Sequence, residues 1–338
     1  RVTGGYILDA VGFRADEEEK DRVLKTIYEM TEKRFRLARH MVDTRPDWDF
    51  FMMVEMGPDR IHHMFWKYTD SEHPKYVPGN KYESCIYDYY KFVDSQIGEL
   101  LAKLDEQTAV LIVSDHGARA MVGGVCFNEW LINEGYLVLK SRPDAPAPVE
   151  KCDVDWSRTK AWGSGGYYAR YMINVKGREP HGVIERGAEY EGVRTELIEK
   201  LEALPDHNGD LMDTQVVRPE DVYKEVRGVP PDLFVYFGNL AWRSVGSISP
   251  AQPPSVYTFE NDTGPDDANH DYHGIFIMRE RPGEQSLEAE GLNLKDVAPT
   301  VLDLLGESVP PDMDGKVITR ELGTHASSVP NSALAPLE

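Results

Sequence analysis

The sequence predicts an α/β protein: a doubly wound, mostly parallel sheet flanked by helices, with an inserted α+β cap subdomain. Three observations predict it. Short apolar, β-branched runs alternate with long amphipathic helical patterns, the signature of β-α-β units. The apolar run at 109–113 ends abruptly in Ser114-Asp115-His116-Gly117, and open α/β sheets place their chemistry just past the carboxyl ends of strands. Two further polar clusters stand in similar contexts, Asp59-Arg60-Ile61-His62-His63 upstream and Asn269-His270-Asp271-Tyr272-His273-Gly274 downstream.

Composition bounds the rest. With 338 residues, 41% hydrophobic and 28% charged, the chain can bury a sizeable core as one large domain or a domain with an insertion. No run approaches the roughly eighteen apolar residues of a membrane span, so a soluble protein without a membrane partner is expected. The formal net charge of −21 argues against a nucleic-acid polymer or an anionic membrane as the main partner. It leaves room for a small phosphorylated substrate, because bound cations dominate a site locally. The three scattered cysteines, Cys85, Cys126 and Cys152, form neither a disulfide framework nor a CxxC pair, which suits a reducing, cytoplasmic compartment. The chain opens on Arg1 and shows no signal peptide, as a fragment or processed form would. Oligomeric state leaves no trace in the sequence.

Taken in order, residues 17–42 carry a broad apolar helical stripe, with Val23, Ile27 and Met30 on one face. Residues 50–54 predict a strand, and 65–80 an aromatic, turn-rich loop beside the site. A long amphipathic helix over 82–104 leads directly into the 109–113 strand. A short helix over 128–134 stops at Gly135. The Pro- and Asp-rich stretch 142–156 marks a boundary, and 156–249 holds strands at 167–175, 214–217 and 233–237 with a helix at 193–204. Gly163-Ser164-Gly165-Gly166 lacks the Lys-Ser/Thr ending of a phosphate-binding loop and predicts a plain turn. A loop over 250–269 precedes His270, a strand follows at 275–278, and a helix over 294–305 ends at Gly306. The expected organisation is a core in two parts, 1–140 and 251–322, a cap at 141–250, and a disordered Ser/Pro/Ala tail at 323–338.

If the chain turns helical after Pro58, Asp59 and His63 project from one face, four residues apart. A carboxylate and an imidazole at that spacing can grip one zinc-like ion. The same spacing suits an ordinary exposed hydrogen-bonded pair, and the residues alone leave both readings open. His62 points about 100° away and is expected to pack instead. Trp162, Tyr167 and Tyr168, beside flexible glycines, are candidates for stacking on a substrate group or for the core.

These residues resemble the alkaline-phosphatase superfamily, in particular its type I phosphodiesterase/nucleotide pyrophosphatase branch. Ser114-Asp115-His116-Gly117 is similar to that family's strand end, and Asp59-x-x-x-His63 to its D-x-x-x-H element. His270-x-x-x-Gly274-Ile275-Phe276 resembles the late histidine before a short strand, with His273 the runner-up for that place. Residues 296–306, followed by Met313-Asp314-Gly315, resemble the C-terminal helix and its trailing motif.

The resemblance implies two divalent metal ions, zinc first and manganese or magnesium as alternatives. Asp59, His63 and His270 would hold one ion, and Asp115 and His116 the other, with Arg60 beside Asp59 binding substrate. It implies a phosphate-ester hydrolase in which a Ser or Thr hydroxyl attacks phosphorus. No stretch before Asp59 resembles the family's opening strand and nucleophile loop. The catalytic nucleophile is therefore expected in a missing N-terminal segment, with this chain as the C-terminal part of the family domain. The alternatives are a phosphoglycerate-mutase-type isomerase of the same superfamily, or a non-catalytic fragment that keeps the fold. A sulfatase is a weaker option, since no Cys-x-Pro-x-Arg motif occurs.

Overall fold

The fold comes from a computed structural model that describes residues 2–10, 17–250, 255–260, 266–279 and 291–318. The tail expected over 323–338 lies outside the described residues. The chain mixes helices and sheets, as an α/β protein does.

The first region is helical. A single 3-10 turn, Glu17–Glu19, leads into α1 (Lys20–Thr44). The helices α2 (Gly57–Thr69) and α3 (Cys85–Leu101) follow and pack on it and on each other. The predicted stripe of α1 is what they bury: Val23, Ile27 and Phe35 meet Ile61, Met64 and Phe65 of α2 and Tyr89 and Val93 of α3. Pro58 occupies the first turn of α2, where the missing N–H costs nothing.

Next come the strands that carry the polar clusters: β1 (Val110–Val113), β2 (Gly117–Ala120) and β3 (Gly123–Cys126), then α4 (Phe127–Asn133). β4 (Leu139–Ser141) and β5 (Asp153–Val154) form a small hairpin-like pair. The segment beyond it builds a four-stranded antiparallel sheet in the order β6-β7-β9-β8 from β6 (Ala161–Ser164), β7 (Ala169–Ile173), β8 (Gln215–Val217) and β9 (Leu233–Tyr236). Between them run α5 (Ala188–Glu202) and α6 (Pro219–Val222). One face of this sheet, with Ala169, Tyr171, Ile173, Leu233 and Val235, is buried together with Leu197 and Leu201 of α5. That core is continuous with Val125, Phe127 and Leu131, from the span expected to form the first part of the main core.

The chain then returns through β10 (Trp242–Val245), β11 (Tyr257–Thr258), β12 (Ala268–Asp271) and β13 (Phe276–Arg279), and ends its described part with α7 (Val297–Leu304). β13 pairs antiparallel with β1, β12 antiparallel with β2, and β3 lies between β10 and β11.

The doubly wound, mostly parallel sheet expected from the sequence is not what the described strands form. They make five small sheets, and among their pairings only β3 with β10 is parallel. The reason lies in residues 50–54. That run has strand composition, yet it makes no ladder, and Met52 is 71% exposed. Without that neighbour the helix-to-strand passage through α3 closes no β-α-β unit, and β1 takes its partner from β13 near the end of the described chain. No described helix is long and apolar enough to cross a membrane.

Candidate metal centre

Two strand pairs and one helix assemble the candidate site. α2 presents Asp59 and His63 on one face, as their spacing predicts. β12 delivers His270 in register with Ala118 of β2, whose first residue directly follows His116. The joint is tight, and glycine permits it. A β-carbon on Gly117 would stand 2.0 Å from the His273 carbonyl oxygen, and one on Gly274 would stand 2.1 Å from Ser114 Oγ. Ser114 Oγ in turn accepts the Ile275 N–H at 2.7 Å. These contacts give the glycines of both motifs a physical reason.

Three donor atoms converge. His63 Nε2 stands 3.2 Å from Asp59 Oδ1, His270 Nε2 3.3 Å from the same oxygen, and the two imidazole nitrogens 3.3 Å from each other. Nitrogen and oxygen ligands at about 2.0–2.1 Å from a tetrahedral ion are separated by about 3.3 Å, so this triangle fits one face of such a coordination shell. The chemistry of the donor set, two imidazoles and one carboxylate, suits zinc and its neighbours.

Electrostatics support the same geometry. Burial works against the Asp59 carboxylate, but hydrogen bonds from His270 and His63 and the Arg60 charge hold it well below the usual range. Burial also works against a charged His63. Its hydrogen bonds to Asp266 and Asp59 outweigh that and push it up to about 9. The cluster is thus a cradle in which the proton on His63 holds the place of a cation.

The second expected pair lies beside this trio. The His116 ring stacks on His270 at 3.6 Å and 15°, with Nε2 4.0 Å from Asp59 Oδ1. Its Nδ1–H donates to the Gly117 carbonyl at 2.8 Å. Asp115 reaches to 3.7 Å from His116 Nε2, but its side chain is 82% exposed. Arg60 is engaged by carboxylates: it grips Asp9 at 2.8 and 2.9 Å and also bonds Asp59. His62 turns from the cluster, stacks on Tyr90 at 5.7 Å and places Nε2 within hydrogen-bond distance of the Tyr90 hydroxyl, at 3.1 Å. The His273 side chain is exposed.

Asp266 and Arg243 join the site without having been singled out as part of it, and Tyr167, a candidate for substrate stacking or for the core, packs against it. Asp266 accepts the His63 Nδ1–H at 2.7 Å, and Arg243 bonds Asp266 at 3.3 Å. Tyr167 lies over His270 at 4.1 Å with its hydroxyl 3.2 Å from His63 Nε2, so it packs into the cluster itself. The only sequence signal for Asp266 was an acid four residues ahead of His270.

No curated protein and no solved structure matches the chain. The model of one family, type I phosphodiesterase / nucleotide pyrophosphatase, matches residues 6–266, a span that holds both α2 donors and the strand end at Asp115 and His116 and stops four residues short of His270. A match over that much of the chain, joined to the donor geometry, places it: this protein belongs to the type I phosphodiesterase/nucleotide pyrophosphatase family.

Proposed function

We propose that the chain is a phosphodiesterase-type hydrolase of phosphate esters that works with two divalent ions, zinc first. Asp59, His63 and His270 are the donors for one ion, and Asp115 and His116 contribute to the other. The observation that carries this reading is the triangle of donor atoms 3.2–3.3 Å apart. Membership of the family supports a phosphoester hydrolase in the coarser sense.

A charge argument points the same way. Asp59, Asp115 and Asp9 crowd the site of a chain whose formal net charge is −21, and Arg60 is already engaged by two of those acids. An anionic ester would be repelled there unless cations were bound first. When bound, divalent ions supply positive charge to the phosphoryl oxygens and lower the pKa of an attacking hydroxyl. The protein side of the work is positional. Asp59 faces both His63 and His116, so one carboxylate can join the two halves of the site. The stacked rings of Tyr167, His270 and His116 form one wall and keep the imidazole nitrogens facing inward. Ser114 Oγ accepts the Ile275 N–H, and the attacking Ser or Thr is proposed to lie ahead of Asp59, where the family resemblance puts it. The span expected as a cap contributes Tyr167 to this wall and is proposed to influence which esters fit.

Elemental analysis of the purified chain, before and after dialysis against a chelator, tests the metal reading. Up to two zinc-like ions per chain are expected. The protein should hydrolyse a chromogenic aryl phosphodiester only when metal is restored. Metal-free protein with undiminished turnover would overturn the proposal.

A further inference from the structure

His63 is held on three sides. Its Nδ1–H donates to Asp266 Oδ1 at 2.7 Å and to the Ala268 carbonyl at 3.0 Å. Its backbone carbonyl accepts the Asp267 N–H at 2.9 Å. The Tyr167 ring lies along its face at 5.2 Å and 19°. An ionised carboxylate and a carbonyl only accept hydrogen bonds, so a neutral His63 must carry its proton on Nδ1. The Nε2 lone pair then faces Asp59 and His270.

Asp266 is itself fixed. Its side chain is fully buried, and its second oxygen pairs with buried Arg243 at 3.3 Å. The Arg243 guanidinium also lies 5.7 Å from the centre of the Tyr167 ring. One arginine thus braces both the edge and the face supports of the same imidazole. A buried ion pair of this kind is a poor source of stability, since both charges lose water. It makes better sense as a device for orientation and charge.

We propose that Asp266, braced by Arg243, is the positioning residue that presents His63 Nε2 to a bound divalent ion. The proposal rests on the reading of Asp59, His63 and His270 as metal donors. The Ala268 carbonyl would by itself preserve the tautomer. What Asp266 adds is a negative charge on the far edge of the ring, which makes Nε2 a stronger electron donor. Carboxylates behind metal-bound histidines act in this way generally.

The adjacent carboxylate supplies the control. Asp267 is nearly as buried but touches His63 only through its backbone, and among the described residues its Oδ2 has no hydrogen-bond partner.

Zinc affinity of the full chain, measured by competition with a chromophoric chelator, tests the proposal. Asp266→Ala is expected to weaken binding by about 10- to 100-fold. Asp266→Asn keeps an acceptor without the charge, so its loss should be smaller but measurable. Asp267→Asn should bind as the wild type does. Cobalt(II) gives a second readout, with a shift of the visible band expected in the Asp266 variants and none in Asp267→Asn. Should Asp266→Ala fail to fold, the isosteric Asp266→Asn decides, and unchanged affinity there overturns the proposal. A wild type that binds zinc, a His63→Ala that does not, and unaltered Asp266 variants would overturn this proposal alone. A wild type that binds no zinc would remove the metal reading and this proposal together.

Discussion

The two halves of the candidate centre are built to different standards. In one, Asp59, His63 and His270 come from a helix and a strand already locked in place, and their donor atoms form a near-equilateral triangle. In the other, His116 is held by stacking and one backbone hydrogen bond, while Asp115 stands largely in solvent. The first half needs no rearrangement to receive an ion. The second, on the proposed reading, offers two donors and would have to order the exposed Asp115 side chain to bind an ion. Binding energy lost to ordering is affinity lost, so the halves should differ in strength even with similar ligand chemistry.

The largest effect follows from that contrast. Zinc sites of about 10–16 kcal/mol over four ligands imply about 3–4 kcal/mol for each, or a loss of about 100- to 1000-fold when one is removed. His63→Ala and His270→Ala should each show such a loss for the tighter of two binding events in calorimetry. His116→Ala should leave that event within about tenfold and abolish the weaker one. If His116→Ala damages the tight event as badly as His63→Ala, the halves are one site and the contrast fails.

The sequence made some of this legible and hid the rest for physical reasons. Asp59 and His63 were visible because helical periodicity is local: four residues apart is one turn, whatever surrounds it. Helices α1 and α3 were visible through their buried stripes. The preference for His270 over His273 came from spacing to a glycine, and the structure gives that glycine a steric role against Ser114. Residues 50–54 show the opposite case. Their composition suits a strand, but a strand exists only through a partner, and pairing is decided far away in the chain. The antiparallel partners of β1 and β2 were hidden in the same way. Asp266 reaches His63 across 203 positions, and Tyr167 across 104, so no local pattern could have announced either contact.

Acidity offers a sharper test of the first half. His63 is pushed up to about 9 against the cost of its burial by Asp266 and Asp59, so at neutral pH the metal-free trio holds a proton where an ion would bind. Metal must displace it. Affinity of the tight event should therefore rise about tenfold for each pH unit between about 7 and 9, then level off. Asp59 is held well below the usual carboxylate range and adds no competing proton there. Cobalt binding measured at pH 7, 8 and 9 checks the slope. A flat profile would mean that the imidazole is already neutral.

The smallest expected effect separates two neighbouring carboxylates. Asp266 has His63 and Arg243, whereas Asp267 is buried with Oδ2 lacking a hydrogen-bond partner among the described residues. Burial pushes the Asp267 carboxyl up to about 6, only partly countered by the charges of Lys20 and Lys67. Its folded pKa therefore lies above the unfolded value near 3.8, and the folded state binds the extra proton between the two. Stability from this group is present below about pH 4 and is lost as pH rises through about 6. The shift of about two units, already net of the attraction to Lys20 and Lys67, limits what Asp267→Asn can recover at pH 7.5 to at most about 3 kcal/mol. Near pH 4 both side chains are neutral and the gain should vanish. Urea midpoints at the two pH values measure it in metal-free protein. Asp266→Asn should show no such gain at pH 7.5, because its carboxylate has partners to lose. If Asp267→Asn destabilises at pH 7.5 instead, Asp267 has a partner of its own, and the two carboxylates are not the contrasting pair that the structure presents.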